Sequence, residues 1–177
     1  MQLLVMPWMG SFIRAALTAN VVVDLSYTAY RGTPLPNGVT QWLGMRYAAP
    51  PLGDLRFREP RDPLPKRGVV DADTYGPFCL PTNTSMPNEE MSEDCLFVNV
   101  FAPTGANESS KLPVYFFIQG GGFNTNAKAF NGSGLVTASG MNIVVVNFSY
   151  RESHPRQDPI HHALKPTRRG TIRFPCQ

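Results

Sequence analysis

Val114-Tyr115-Phe116-Phe117-Ile118, followed at once by Gln119-Gly120-Gly121-Gly122-Phe123, is the stretch on which the reading of this chain turns. An unbroken apolar run of this length reads as a strand covered on both faces. The glycines at its end let the backbone adopt positive φ and bring N–H groups close to a ligand, so the turn can hold developing negative charge. Taken alone, a glycine run is equally a plain flexible turn. A phosphate loop is excluded, because neither G-x-G-x-x-G nor a terminal Gly-Lys-Ser/Thr occurs in the chain.

Working outward, residues 95–101, 112–119 and 141–150 read as strands of a main sheet. Residues 124–140 form the crossover between the last two, with one short helix near 135–139. Upstream, the β-rich runs 21–31 and 39–48 are joined by a linker containing Asn37-Gly38 and read as a hairpin at the edge of the domain. Residues 49–93, dense in Pro, Gly, Asp and Asn, read mostly as loop.

Several motifs accompany the glycine run in order. They are Tyr30-Arg31-Gly32-Thr33, Gly44-Met45-Arg46-Tyr47-Ala48, Pro50-Pro51-Leu52-Gly53, Leu55-Arg56-Phe57, Ser92-Glu93-Asp94-Cys95-Leu96-Phe97-Val98-Asn99-Val100 and Val144-Val145-Val146-Asn147-Phe148-Ser149-Tyr150-Arg151. In this sequence and spacing they resemble the type B carboxylesterase/lipase family, which includes cholinesterases and many secreted fungal esterases. The resemblance covers about residues 22–151. It implies the N-terminal part of an α/β-hydrolase fold: an edge hairpin plus the first strands of the main sheet.

By this resemblance the chemistry is acyl transfer on carboxylic esters, with no cofactor or metal. Gly121 and Gly122 are then expected to donate N–H bonds to the oxyanion of the tetrahedral intermediate, with Gln119, Gly120 and Phe123 shaping the turn. Cys79 and Cys95 match a family disulfide, which would stabilise by roughly 3 kcal/mol on the chain-entropy estimate. Arg56 and Glu93 match an internal ion pair supporting that loop; without the resemblance they read as two solvated surface charges.

Past Arg151 the resemblance stops. No G-x-S-x-G occurs anywhere, and Asn131-Gly132-Ser133-Gly134 has the wrong glycine spacing for one. A serine hydrolase needs a nucleophile on a strained strand-to-helix turn, with a base and an acid to orient it. None of the three can be assigned. The expectation is therefore a chain that stops short of the nucleophile elbow and is inactive as written. The alternative is a non-catalytic, cholinesterase-like binding module.

Charge marks the same break. The chain carries +3 overall, whereas residues 151–177 carry +4. All three histidines (His154, His161, His162) lie in this tail, together with four prolines and no apolar run. Such a segment cannot repay chain entropy, so residues 152–177 are expected to be a disordered basic tail. Its arginines suit either a contact with phosphates or an unselected, frame-shifted or intron-derived peptide. The second reading is preferred, so no nucleic-acid partner is expected. His161-His162 lack further ligands at metal spacing.

Residues 1–19 are mostly apolar and end in Leu17-Thr18-Ala19, and they read as a signal peptide although Pro7 and Arg14 interrupt them. They are too interrupted to span a membrane. Export agrees with sequons at Asn83, Asn107 and Asn131, which fall in loop-like stretches and are glycosylation candidates. A fourth, Asn147-Phe148-Ser149, falls in an expected buried strand. Cys176 has no evident partner. Three domains result: a signal peptide over 1–19, a partial esterase domain over 20–151, and the tail.

Overall fold

The structure is a computed structural model that describes residues 21–56, 58–81, 90–121 and 130–151. In chain order its elements are β1 (Val22–Asp24), β2 (Ala29–Arg31), β3 (Thr33–Pro34), β4 (Val39–Arg46), β5 (Val69–Asp71), β6 (Phe78–Cys79), β7 (Met91–Ser92), β8 (Phe97–Pro103), β9 (Val114–Phe117), helix α1 (Ser133–Ala138) and β10 (Val144–Phe148). The signal peptide and the tail expected from the sequence lie outside the described residues.

Five strands form the main sheet in the order β3-β4-β8-β10-β9. β10 runs antiparallel to β8 and parallel to β9, with Val146 opposite Val100 on one side and Phe116 on the other. Side chains of β8 and β10 alternate between the two faces, as the pleat requires. On one face Phe101 and Val145 pack with Val39, Leu43 and Val136 of α1. On the other, Val98, Ala102 and Val146 pack with Tyr30, Trp42, Met45 and Ala72.

Helix α1 is short and locally determined. Asn131 Oδ1 accepts from the Ser133 N–H at 2.9 Å, which satisfies one of the donors orphaned at a helix start. At the far end Gly140 takes φ +70, a conformation that costs glycine nothing. Between these ends Val136, fully buried, fixes the helix to the sheet.

Three expectations are corrected. The hairpin of 21–31 with 39–48 is not formed: β1 pairs with β2, and β3 with β4. Ser26, at φ 68, turns the chain back where no glycine announces it, with its N–H donating to Asp24 Oδ1. Asn37-Gly38 does make its turn, but it joins β4 to the two-residue β3. β1 and β2 enter a separate sheet with β5. Secondly, the stretch 49–93 is more than loop, since β5, β6 and β7 all lie in it. Thirdly, β9 is not covered on both faces among the described residues: Val114 is 55% and Tyr115 49% exposed. Among the described strands β9 is also an outer one of the main sheet.

Gly44 shapes the sheet at a bulge. The register of β4 against β8 shifts between Trp42 and Met45, a bulge that re-aims the strand. Gly44 sits there at φ +66, and a Cβ would lie 2.5 Å from the Thr74 carbonyl oxygen. No other residue allows residues 72–76 to run so close.

Candidate functional site

The turn at the end of β9 is held from two sides. Gln119 is buried, and its carbonyl accepts from the Tyr150 hydroxyl at 2.5 Å. Tyr47 donates its own hydroxyl to the Ser149 carbonyl at 2.7 Å. Between them, the Phe148 ring lies 5.0 Å from Phe116, 5.7 Å from Tyr150 and 5.9 Å from Tyr47. These aromatic contacts fasten the ends of β9 and β10 together on one face. Burial pushes the Tyr47 phenol up to about 12, so its hydroxyl remains a donor throughout the physiological range.

Gly120 behaves differently from what a tight turn needs. Its φ is not positive, and among the described residues no atom beyond its chain neighbours lies within 4 Å of the place its Cβ would occupy. Nothing in the described residues therefore demands glycine at 120 or fills the space beside its backbone. Gly121 is half-buried. Gly122 and Phe123 lie outside the described residues. Backbone amides beside open space at the end of a strand can donate to an approaching anion.

On the opposite face of the same strands sits a polar pair that the sequence does not announce. Asn99 of β8 and Asn147 of β10 are both buried and face each other, Asn99 Nδ2 donating to Asn147 Oδ1 at 2.9 Å. Asn99 Oδ1 accepts from the Gly44 N–H at 2.9 Å, and Asn147 Nδ2 donates to the Phe130 carbonyl at 3.0 Å. The pair thus links the β4 bulge, both central strands and the residue at which the crossover returns. Phe130 also meets Phe117 edge to face at 4.7 Å. A buried network of this kind rigidifies when every member is satisfied.

Cys79 and Cys95 are joined by a disulfide with Cα atoms 4.9 Å apart, packed with Ala48 and Leu96. Arg56 Nη2 donates to Glu93 Oε2 at 2.6 Å. This pair is not buried, with side-chain exposures of 48% and 37%, so the cost of breaking a buried ion pair does not apply to it. The better-sheltered pair is one position further on. Arg46 forks onto Asp94 with bonds of 2.6 and 2.7 Å while its guanidinium lies 4.6 Å from the Phe97 ring centre. The hydrogen bonds it donates to Asp94 hold the Arg46 proton more tightly than usual. A bidentate fork and an aromatic face together favour arginine over lysine.

Of the sequons, Asn107 and Asn131 are exposed, Asn147 is buried, and Asn83 lies outside the described residues. All three histidines and Cys176 also fall outside. Among the described residues no group of three His, Cys, Asp or Glu is placed to hold a metal. No helix among them is long and apolar enough to cross a membrane.

Comparison with known proteins agrees with this geometry. A sequence model described as the Carboxylesterase family matches residues 19–153. The chain is 44% identical over 119 residues to Secreted lipase 4 of Gibberella zeae, covering 66% of this chain and 21% of the lipase. It is 40% identical over 127 residues to the medium-chain fatty acyl-CoA hydrolase precursor of Anas platyrhynchos, covering 64% and 22%. Among solved structures, Aspergillus niger EstA superposes with a TM-score of 0.72 at 48% identity, covering 76% of this chain and 26% of EstA. A PNB esterase superposes at 0.65 with 39% identity, covering 75% and 27%. The chain thus spans about a quarter of the length of these relatives.

Proposed function

Since this chain belongs to the carboxylesterase family, and its sheet is the N-terminal part of an α/β-hydrolase fold, we propose that residues 20–151 supply the oxyanion-binding side of a serine esterase acting on carboxylic esters. Gly121 and Gly122 donate N–H bonds to the tetrahedral oxyanion, and Gly120 leaves room for the substrate to approach the protein backbone. The observation that carries the reading is the space that the described residues leave at Gly120, directly after a strand whose end is clamped by Tyr150. A rigid strand end positions donors better than a free loop.

These 177 residues contain no G-x-S-x-G. Their oxyanion turn needs a nucleophile, a base and an acid supplied by further chain, and by themselves they turn over no ester. Passage through an oxidising compartment agrees with the Cys79–Cys95 bridge and with a relative that is a secreted lipase. Residues 1–19 act as the exported chain's leader.

The chimera in which residues 21–151 replace the matching quarter of Aspergillus niger EstA tests this reading. It should hydrolyse short-chain p-nitrophenyl esters, whereas the 177-residue chain should neither do so nor label with a fluorophosphonate probe. In the chimera, Gly121→Pro, which deletes one donor, should lower kcat by about 100- to 1,000-fold with little change in KM. A folded chimera that hydrolyses esters equally well with Pro at 121 would sink the assignment of the turn.

A further inference from the structure

We propose that Asn107 is an N-glycan acceptor of this chain, and that Asn147, which has the same sequon chemistry, is not. Asn107-Glu108-Ser109 lies on the connection from β8 to β9, and residues 107–110 are all exposed. Asn107 is extended, at φ −144, and opens a single 3₁₀ turn. Its Oδ1 accepts from the Ser109 N–H at 2.9 Å and from the Ser109 hydroxyl, while its own N–H donates to Ser110 Oγ at 3.1 Å. All of these bonds engage the carbonyl oxygen or the backbone. The amide nitrogen Nδ2 has no hydrogen-bond partner among the described residues, so a sugar on it displaces nothing.

Asn147 has the opposite surroundings. It is 3% exposed, and its Nδ2 donates to the Phe130 carbonyl. A glycan there would break the network under the glycine turn and force a bulky polar group into the sheet. Asn131 is intermediate: the Asn is exposed, but Ser133 of its sequon is buried, and a Cβ on Gly132 would meet Val145 at 2.7 Å. The folded chain therefore accommodates a glycan at Asn107 with the least rearrangement.

The reaction is a group transfer from a polyprenyl-diphosphate-linked oligosaccharide. Asn107 Nδ2 forms a bond to the anomeric carbon of the reducing-end sugar, and the bond from that carbon to the diphosphate oxygen breaks. The diphosphate leaves with the electron pair, and the amide nitrogen gives up one proton. Asn107 is left as a secondary amide, and its Oδ1 remains able to accept from Ser109.

To test this, the full 177-residue chain is expressed behind a cleavable leader in a yeast secretory pathway. Material with the Cys79–Cys95 bridge formed is selected as having reached the lumen. Peptide mapping after N-glycosidase treatment in heavy-oxygen water should find the label at Asn107 in most molecules and none at Asn147. Asn107→Gln and Ser109→Ala should each remove one deglycosylation-sensitive mobility step, and Ser109→Thr should keep it. An unlabelled Asn107 in that lumenal material, or a labelled Asn147, would overturn the proposal. The mapping is read on the unsubstituted chain, so it stands even if a variant fails to fold.

Discussion

Asn99 is the residue whose loss reaches furthest, because its two polar atoms serve two different elements. Replacing it by alanine orphans the Gly44 N–H and Asn147 Oδ1 inside the sheet. Each buried group left unsatisfied costs about 1–3 kcal/mol, so Asn99→Ala, which strands two, should lower unfolding stability by roughly 2–6 kcal/mol in urea titration. The double variant with Asn147→Ala should cost less than the sum of the two singles, since each alone strands the other. Strictly additive effects would show that the two asparagines are not coupled. Neither was legible in the sequence as a functional pair. An asparagine inside an apolar run has no periodic signature, and its partner is 48 residues away. The strand that leads into the glycine run, in contrast, was legible because its signal is local: Val114 to Phe117 are contiguous.

Elements differ in how much of their role the sequence carries. β10 was found because Val144-Val145-Val146 is β-branched and apolar, and it is indeed buried between two neighbours. β9 reads the same way but is the outer strand, since an apolar run reports burial preference and not its position in a sheet. The two- and three-residue strands β5, β6 and β7 are too short for periodicity to detect. The outer position of β9 has a cost. Among the described residues no strand pairs with its far edge, beside which Val114, Tyr115 and Ile118 are all exposed. Purified chain should self-associate, and Tyr115→Lys with Ile118→Lys should raise its soluble fraction several-fold as followed by light scattering. Unchanged association in that variant would move the liability elsewhere. The loop between β6 and β8 is closed by the disulfide, 16 positions apart in sequence. Cys79→Ser with Cys95→Ser should therefore cost about 3 kcal/mol. A melting temperature unaltered by reductant would contradict that figure.

At the scale of the whole molecule, alkaline pH loosens the fold through two phenols. Burial raises Tyr27 and Tyr47 to about 12, above the value of 10 expected in an unfolded chain. Between pH 10 and 12 the folded state holds more protons than the unfolded one, so stability present below pH 10 is lost as pH rises through that window. Tyr47→Phe should flatten the loss when denaturation midpoints are compared at pH 9 and pH 11. A larger loss in the variant would reverse the sign argued here. The strand order has a further consequence, one of timing. Space runs β8, β10, β9, whereas synthesis runs β8, β9, β10. Val114 pairs with Val144, so β9 leaves the ribosome 30 residues ahead of β10, its one neighbour among the described strands. At about 5–20 residues per second that is an interval of roughly 1.5–6 s. Apolar collapse takes microseconds. During that wait a nascent chain carries an apolar strand ahead of the neighbour it pairs with, and a chaperone has the opportunity to bind at residues 114–118.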